Sequence, residues 1–128
     1  MRRFFVPGLA LVCVTLAAPV AAAAPGTAQD FLERADRLLG KGPLALFDPD
    51  YKKLQREGTA AGESIQHERE AAEKAGRPIL YCSAKPRAEM GNMEFLGALR
   101  KIPQGQRQRM SLRAAMLVVL QKKYPCRR

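Results

Sequence analysis

The chain has 128 residues, three cysteines, a single histidine and a net charge of +10 at pH 7. Its length suits one domain, near the lower limit at which a single core supports itself. A lone histidine and so few cysteines leave little material for a zinc centre or a histidine-based active site.

The first 24 residues read as an export signal. Arg2 and Arg3 supply a positive end, Phe4 to Val20 an apolar middle, and Ala21 to Ala24 the small residues that suit a signal peptidase. Cleavage is expected after Ala22, Ala23 or Ala24, which makes 1–24 a cleaved signal peptide and 25–128 a single helical domain in the periplasm. Pro7 and Pro19 break the apolar stretch, so no retained membrane span is expected. Anchoring as a lipoprotein through Cys13 is the alternative, but Val12 stands where such a signal needs a small residue.

From Pro25 onward the helix signals come in order. Thr27 with Asp30 marks a helix start, and Phe31, Leu32, Ala35, Leu38 and Leu39 recur at helical spacing until Gly40, Gly42 and Pro43. Leu44, Leu46 and Phe47 form an apolar connector without an assignable state. Asp48 as a cap and Pro49 at the first helical position open a long polar helix to about Lys74, with a thin stripe of Tyr51, Leu54, Ala61, Ile65 and Ala72. Gly58 and Gly62 share one face, where another helix could approach closely. Gly76, Arg77 and Pro78 break the chain, and Ile79 to Tyr81 read as a short extended piece. A third helix is expected from the region of Met90–Met93 to Lys101, with Met93, Phe95, Leu96 and Leu99 inward. Pro103 and Gly105 stop it, and Gln104 to Arg109 read as a polar turn. Ser111 caps a last helix with the strongest apolar stripe in the chain, Leu112, Ala115, Met116, Val119 and Leu120, ending at Tyr124 and Pro125. No strand-like alternation is present, so the expected fold is all-α, a small bundle of about four helices.

Cys82 and Cys126 would remain after processing. In an oxidising compartment an isolated pair is most simply one disulfide, with two free thiols or a metal site as alternatives. Closing a loop of that length removes roughly 4 kcal/mol of unfolded-state conformational freedom. Tyr81 and Tyr124, each beside a cysteine, are expected to pack around the bridge.

Charge is divided unequally. Between Pro25 and Gly76 acidic residues slightly outnumber basic ones, whereas Arg77 to Arg128 holds 12 basic residues against only Glu89 and Glu94. Arg100, Lys101, Arg107, Arg109, Arg113, Lys122 and Lys123 are therefore a candidate surface for an acidic partner, with Arg127 and Arg128 adding to it. Outside the cytoplasm the candidate partners are anionic lipid, a cell-wall or outer-membrane polymer or an acidic protein surface, with nucleic acid not expected there, and the alternative is a solvated basic face that keeps a small protein soluble.

Groups for catalysis are sparse. His67-Glu68-Arg69-Glu70-Ala71 lacks the second histidine of a zinc-protease helix, so His67 reads as a surface residue. Ser64 has no oriented base or oxyanion site argued for it, and Glu63, Glu70 and Glu73 read as a solvated helix face. No phosphate loop or calcium loop is present. The chain reads as a binding protein without cofactor or metal rather than as an enzyme, with a protein as its expected partner.

Tyr81-Cys82, the helix around Phe95-Leu96-Gly97-Ala98-Leu99, the break at Pro103, the helix Ala114 to Leu120 and the closing Tyr124-Pro125-Cys126 together resemble the Rap/Tai family of exported immunity proteins. The resemblance covers Tyr81 to Cys126. It implies a small helical periplasmic protein that binds and neutralises a cell-wall amidase delivered by type VI secretion, and it carries over the cysteine pair but no toxin-contact residue. An upstream cysteine pair expected of that family is missing here. The alternatives are a periplasmic acid-stress chaperone and a binder of anionic envelope polymers.

Overall fold

The computed structural model describes residues 22–127. The expected signal peptide lies outside the described residues except for its last three positions, and Cys13 and Arg128 lie outside them too. The described chain is all-α, with four helices of ten residues or more and two short helical turns.

Helix α1 spans Ala28–Gly40. Thr27 caps it as expected, its Oγ1 accepting from the Asp30 amide at 3.2 Å. Phe31, Leu32, Ala35 and Leu38 turn into the core. The connector after it is a 3-10 helix, Gly42–Phe47. Gly42 starts it at φ +55°, a left-handed conformation that a side chain would strain.

Helix α2 spans Pro49–Lys74, about 39 Å at 1.5 Å per residue. Asp48 caps it through Oδ1, which accepts from the Asp50 amide at 2.9 Å. At its far end Gly76, at φ +66°, lets the Arg77 amide reach the Ala72 carbonyl at 2.9 Å and the Gly76 amide reach Glu73 at 3.2 Å. This pair of bonds closes the orphan carbonyls of the last turn. The buried line along α2 is Leu54, Ala61, Ile65, Arg69 and Ala72, with Tyr51 only half-buried.

Ile79 to Tyr81 form no strand; the only bridge among the described residues joins Thr27 to Ser111. Helix α3, Asn92–Lys101, starts at Gly91, which has no side chain to cap with, and Glu94 Oε2 accepts from the Gly91 amide at 3.4 Å. Phe95, Leu96 and Leu99 face inward as expected. Met93 does not: it sits in the first turn of α3 and is 60% exposed. The expected polar turn contains a single helical turn, α4, Gln104–Arg107. Helix α5, Leu112–Lys123, is capped by Ser111 Oγ, which accepts from the Ala114 amide at 3.1 Å. Leu112, Ala115, Val119 and Leu120 are buried, while Met116, Leu117 and Val118 are half-buried, so α5 is apolar around much of its circumference. The cleanest separation of apolar and polar faces belongs to α1 instead.

The first half of α2 lies against α1 and the second half against α5, and α3 packs on α5 and α1. Two apolar clusters result. The larger joins α1, α3, α5 and the start of α2, with Phe31 and Phe95 edge to face at 6.1 Å. The smaller is Ile65, Tyr81 and Leu120, beside the disulfide. Gly58 and Gly62 lie beneath α1 and α5, but a Cβ there would meet Phe31 at 3.8 Å and Met116 at 3.6 Å. Those are ordinary contact distances, so the approach does not require glycine.

Candidate binding surface

Cys82 and Cys126 are paired, with Cα atoms 4.9 Å apart. The bridge ties the end of α5 to the segment after α2, and the Cys82 amide adds a hydrogen bond to the Tyr124 carbonyl at 2.9 Å. Tyr81 and Tyr124 pack beside it with ring centroids 6.3 Å apart. Beneath them lies a feature absent from the sequence reading. Arg69 is 6% exposed, donates Nε to the Tyr81 carbonyl at 3.1 Å, stacks its guanidinium over the Tyr81 ring at 5.2 Å and reaches Glu73 at 3.8 Å. Its position four residues after Ile65 and three before Ala72, on the buried stripe, was the available signal. The Tyr81 hydroxyl donates to Gln66 at 3.0 Å, and Gln66 donates to Glu70 and to the Pro86 carbonyl, both at 2.8 Å. Burial pushes the Tyr81 phenol above its usual value, against the pull of Arg69.

The seven basic residues singled out in the sequence do not form one patch. Arg107 folds back, donating Nε to Gln29 at 2.7 Å and Nη1 to the carbonyls of Leu99, Arg100 and Ile102, so it finishes the C-terminus of α3. Arg100 pairs with Asp36 at 2.5 Å, and Arg113 with Glu68 while donating to Ser64 at 3.0 Å. Lys123 pairs with Glu94 at 2.6 Å and donates to the Glu89 carbonyl at 2.9 Å. The hydrogen bond between the Lys123 and Glu94 side chains holds Glu94 below and Lys123 above their usual values. Lys101, Arg109 and Lys122 are exposed and make no ion pair among the described residues. The Glu94–Lys123 pair sets the start of α3 beside the end of α5. Lys101 and Arg109 therefore lie at one end of this pair of helices and Lys122 at the other, some 15 Å apart by helix rise.

His67 is exposed on α2, and Glu63, Glu70 and Glu73 do not assemble an acid–base pair: Glu70 is held by Gln66 and Glu73 by Arg69. The hydrogen bond from Gln66 keeps the Glu70 carboxyl below its ordinary range. Among the described residues no cluster of three or more His, Cys, Asp or Glu could hold a metal ion, and no helix is long and apolar enough to cross a membrane.

Two apolar features face solvent. One is the 3-10 turn, where Leu44, Leu46 and Phe47 are 70, 60 and 85% exposed. It is held at its base by the Lys41–Asp48 ion pair and by the Asp48 amide, which donates to the Ala45 carbonyl at 3.0 Å. The other is an open groove of about 800 Å³. It runs where α2 and α3 are not packed side by side, with α1 as one wall and Arg87, Ala88 and Met90 of the stapled segment closing one end. Its floor on α2 is one helical face: Tyr51, Leu54, Gln55, Gly58, Thr59 and Gly62, continuing to Gln66. The sequence showed the connector as an apolar run but not its outward orientation, and it did not show the groove, which depends on which helices stay apart.

Comparison of the chain with protein-family models, curated proteins and solved structures gives no match.

Proposed function

We propose that this is an exported protein that blocks a partner enzyme by occlusion and is not itself an enzyme. The observation that carries the reading is the exposed apolar turn: three large apolar side chains within four residues, Leu44, Leu46 and Phe47, held outward between two capped helices. Apolar surface grouped in this way is stabilised when a partner covers it. A turn anchored at both ends loses little freedom on docking, so more of the burial appears as affinity. The resemblance of Tyr81–Cys126 to the Rap/Tai immunity proteins names the partner class: a cell-wall amidase of type VI secretion, met in the periplasm.

The test is co-expression with such an amidase directed to the periplasm, alongside the variant Phe47→Asp. Phe47 is 85% exposed, so the change leaves the core untouched. The native chain is expected to prevent lysis, and the variant to bind the amidase at least about tenfold more weakly, as for an aromatic anchor at an interface. Absence of both protection and complex formation contradicts the reading.

A further inference from the structure

Unpaired charge is placed unevenly over the molecule. Beside the disulfide, the stretches Arg69 to Glu89 and Gln121 to Arg127 hold eight basic residues against Glu70, Glu73 and Glu89, and Glu94 reaches the same end from α3. Glu73, Glu89 and Glu94 are taken up by Arg69, Lys85 and Lys123. Glu70 accepts from Gln66 and stands in the field of Lys74 and Arg87. That leaves Lys74, Arg77, Arg87, Lys122 and Arg127 exposed and without an ion pair among the described residues. Elsewhere in the described chain six such cations are interspersed with three carboxylates that also make no ion pair, Glu33, Asp50 and Glu63. The disulfide end is therefore the most one-sidedly cationic part of the surface.

Four of these cations share one end of the bundle, because the segment after α2 crosses from the end of α2 to the end of α5. The Leu80 carbonyl accepts from Gln121 at 3.2 Å, the Cys82 amide donates to the Tyr124 carbonyl at 2.9 Å, and Cys82 is bonded to Cys126. Lys74 lies in the last turn of α2, and Arg77, whose amide closes that helix, stands three residues before Leu80, within about 10 Å. Lys122 adjoins Gln121, and Arg127 adjoins Cys126. Arg87 differs in flanking the groove. Each of the two helix C-termini here carries about half a negative charge, so together they offset about one of the four cations. Pro78 and Pro125 are exposed among them, and Ile79 is half-buried.

An anionic ligand that covers this end meets cations on three separate pieces of chain at once: the end of α2, the segment after it, and the end of α5 with its tail. A lipid surface does this, being wide and having headgroups that rearrange sideways to meet each charge. It also takes small apolar groups such as Pro78 and Pro125 into its interfacial layer, which a soluble polyanion strand does not. We infer that the disulfide end docks on a bilayer rich in anionic phospholipid, with Lys74, Arg77, Lys122 and Arg127 at the lipid phosphates. The inference goes beyond the occlusion reading and uses a separate surface. Helix α2 is about 39 Å long, with the exposed apolar turn just before its start and the cationic end just after its finish. Docking at the cationic end leaves Leu44, Leu46 and Phe47 clear of the lipid and free to meet a protein.

The probes are vesicles of phosphatidylcholine alone, vesicles of phosphatidylcholine mixed with phosphatidylglycerol, and soluble polyphosphate. Co-sedimentation is expected to show binding at least about tenfold tighter to the anionic vesicles, fading as salt rises, since exposed charges are screened within about 10 Å at 0.1 M. Each cation at an anionic surface is worth about fivefold in affinity, so Arg77→Gln with Lys122→Gln and Arg127→Gln is expected to weaken binding about a hundredfold. Lys52→Gln with Lys101→Gln and Arg109→Gln removes the same charge from exposed residues elsewhere and is expected to cost at most about twofold. None of the six makes an ion pair among the described residues, so both triple variants keep the fold, as helicity checks. The protein contains no tryptophan, so Pro125→Trp and Phe47→Trp report separately on the cationic end and the apolar turn. Brominated lipid is expected to quench the first and not the second. Equal binding to both kinds of vesicle, equal losses in the two triple variants, quenching of Phe47→Trp without that of Pro125→Trp, or capture of polyphosphate with no binding to vesicles overturns the inference. No wall enzyme is present in this assay, so its outcome is separate from that of the occlusion test.

Discussion

The two apolar clusters of this bundle are built on different physics. Around α1 apolar packing predominates: Leu99 and Ala115 are fully buried and Phe31 meets Phe95, while the polar ties, Arg34 to Asp30 and Glu57 and Arg100 to Asp36, lie outside the apolar cluster. At the far end of α2 only Ile65, Tyr81 and Leu120 are fully committed, and the rest of the work falls to a disulfide, a buried arginine and a run of hydrogen bonds through Gln66. Where apolar area is scarce, covalent and polar ties hold the segment that closes one end of the groove. The contrast implies that the two ends should fail separately.

Reduction of Cys82–Cys126, or Cys82→Ser with Cys126→Ser, should cost the most. The bridge spans a sequence separation of 44, and the chain-entropy relation gives about 4 kcal/mol for such a loop. Chemical denaturation with and without reductant checks it. Leu99→Ala, in the larger cluster and fully buried, should cost about 3 kcal/mol, by lost burial and an unfilled cavity. Arg69→Met should cost about 2 kcal/mol, because it leaves the Tyr81 carbonyl without its donor. Its loss should be smaller in the reduced protein than in the oxidised one, since the two ties hold the same segment; a double-mutant cycle measures the coupling. Gly58→Ala should act in the opposite direction, raising stability by about 0.5–1 kcal/mol, because a Cβ there meets Phe31 at a comfortable 3.8 Å and helix propensity improves.

The smallest expected effect is that of mild acid. Asp48, held down by Lys41, Glu70, by Gln66, and Glu94, by Lys123, have folded pKa values below their ordinary 3.8, 4.5 and 4.5. A depressed carboxylate contributes stability that is complete above its unfolded value and lost as pH falls through the folded one. The protein should therefore keep its helicity from pH 7 down to about pH 5 and lose stability below 4.5. A circular-dichroism titration that shows unfolding near pH 6 contradicts this assignment.

Local signals made much of the fold readable. Thr27, Asp48 with Pro49, and Ser111 mark the helix starts because each cap is chemistry within a few residues, and the 3.6-residue spacing on α1 is uninterrupted. Gly76 with Arg77 closed α2 close to the expected position. The failures were not local. Met93 lies on the apolar stripe of α3, yet no helix stands opposite it. Arg69 is charged, so its place in the buried line of α2 went unread. Arg107 and Lys123 looked like surface cations, but their partners are carbonyls and a carboxylate brought near by tertiary packing. The apolar connector Leu44–Phe47 was visible as composition, but only its outward orientation makes it a candidate contact.

The measurement that tests the two-ended account most directly is amide hydrogen exchange of the protein before and after reduction, under conditions where both forms remain folded. The account predicts that protection falls selectively at Arg77, Cys82 and Tyr124, whose amides bond within or beside the stapled segment, while Leu32, Ala35 and Leu99 in the larger cluster exchange as before. Loss of protection spread evenly over both ends, or no change at Cys82 and Tyr124, contradicts it.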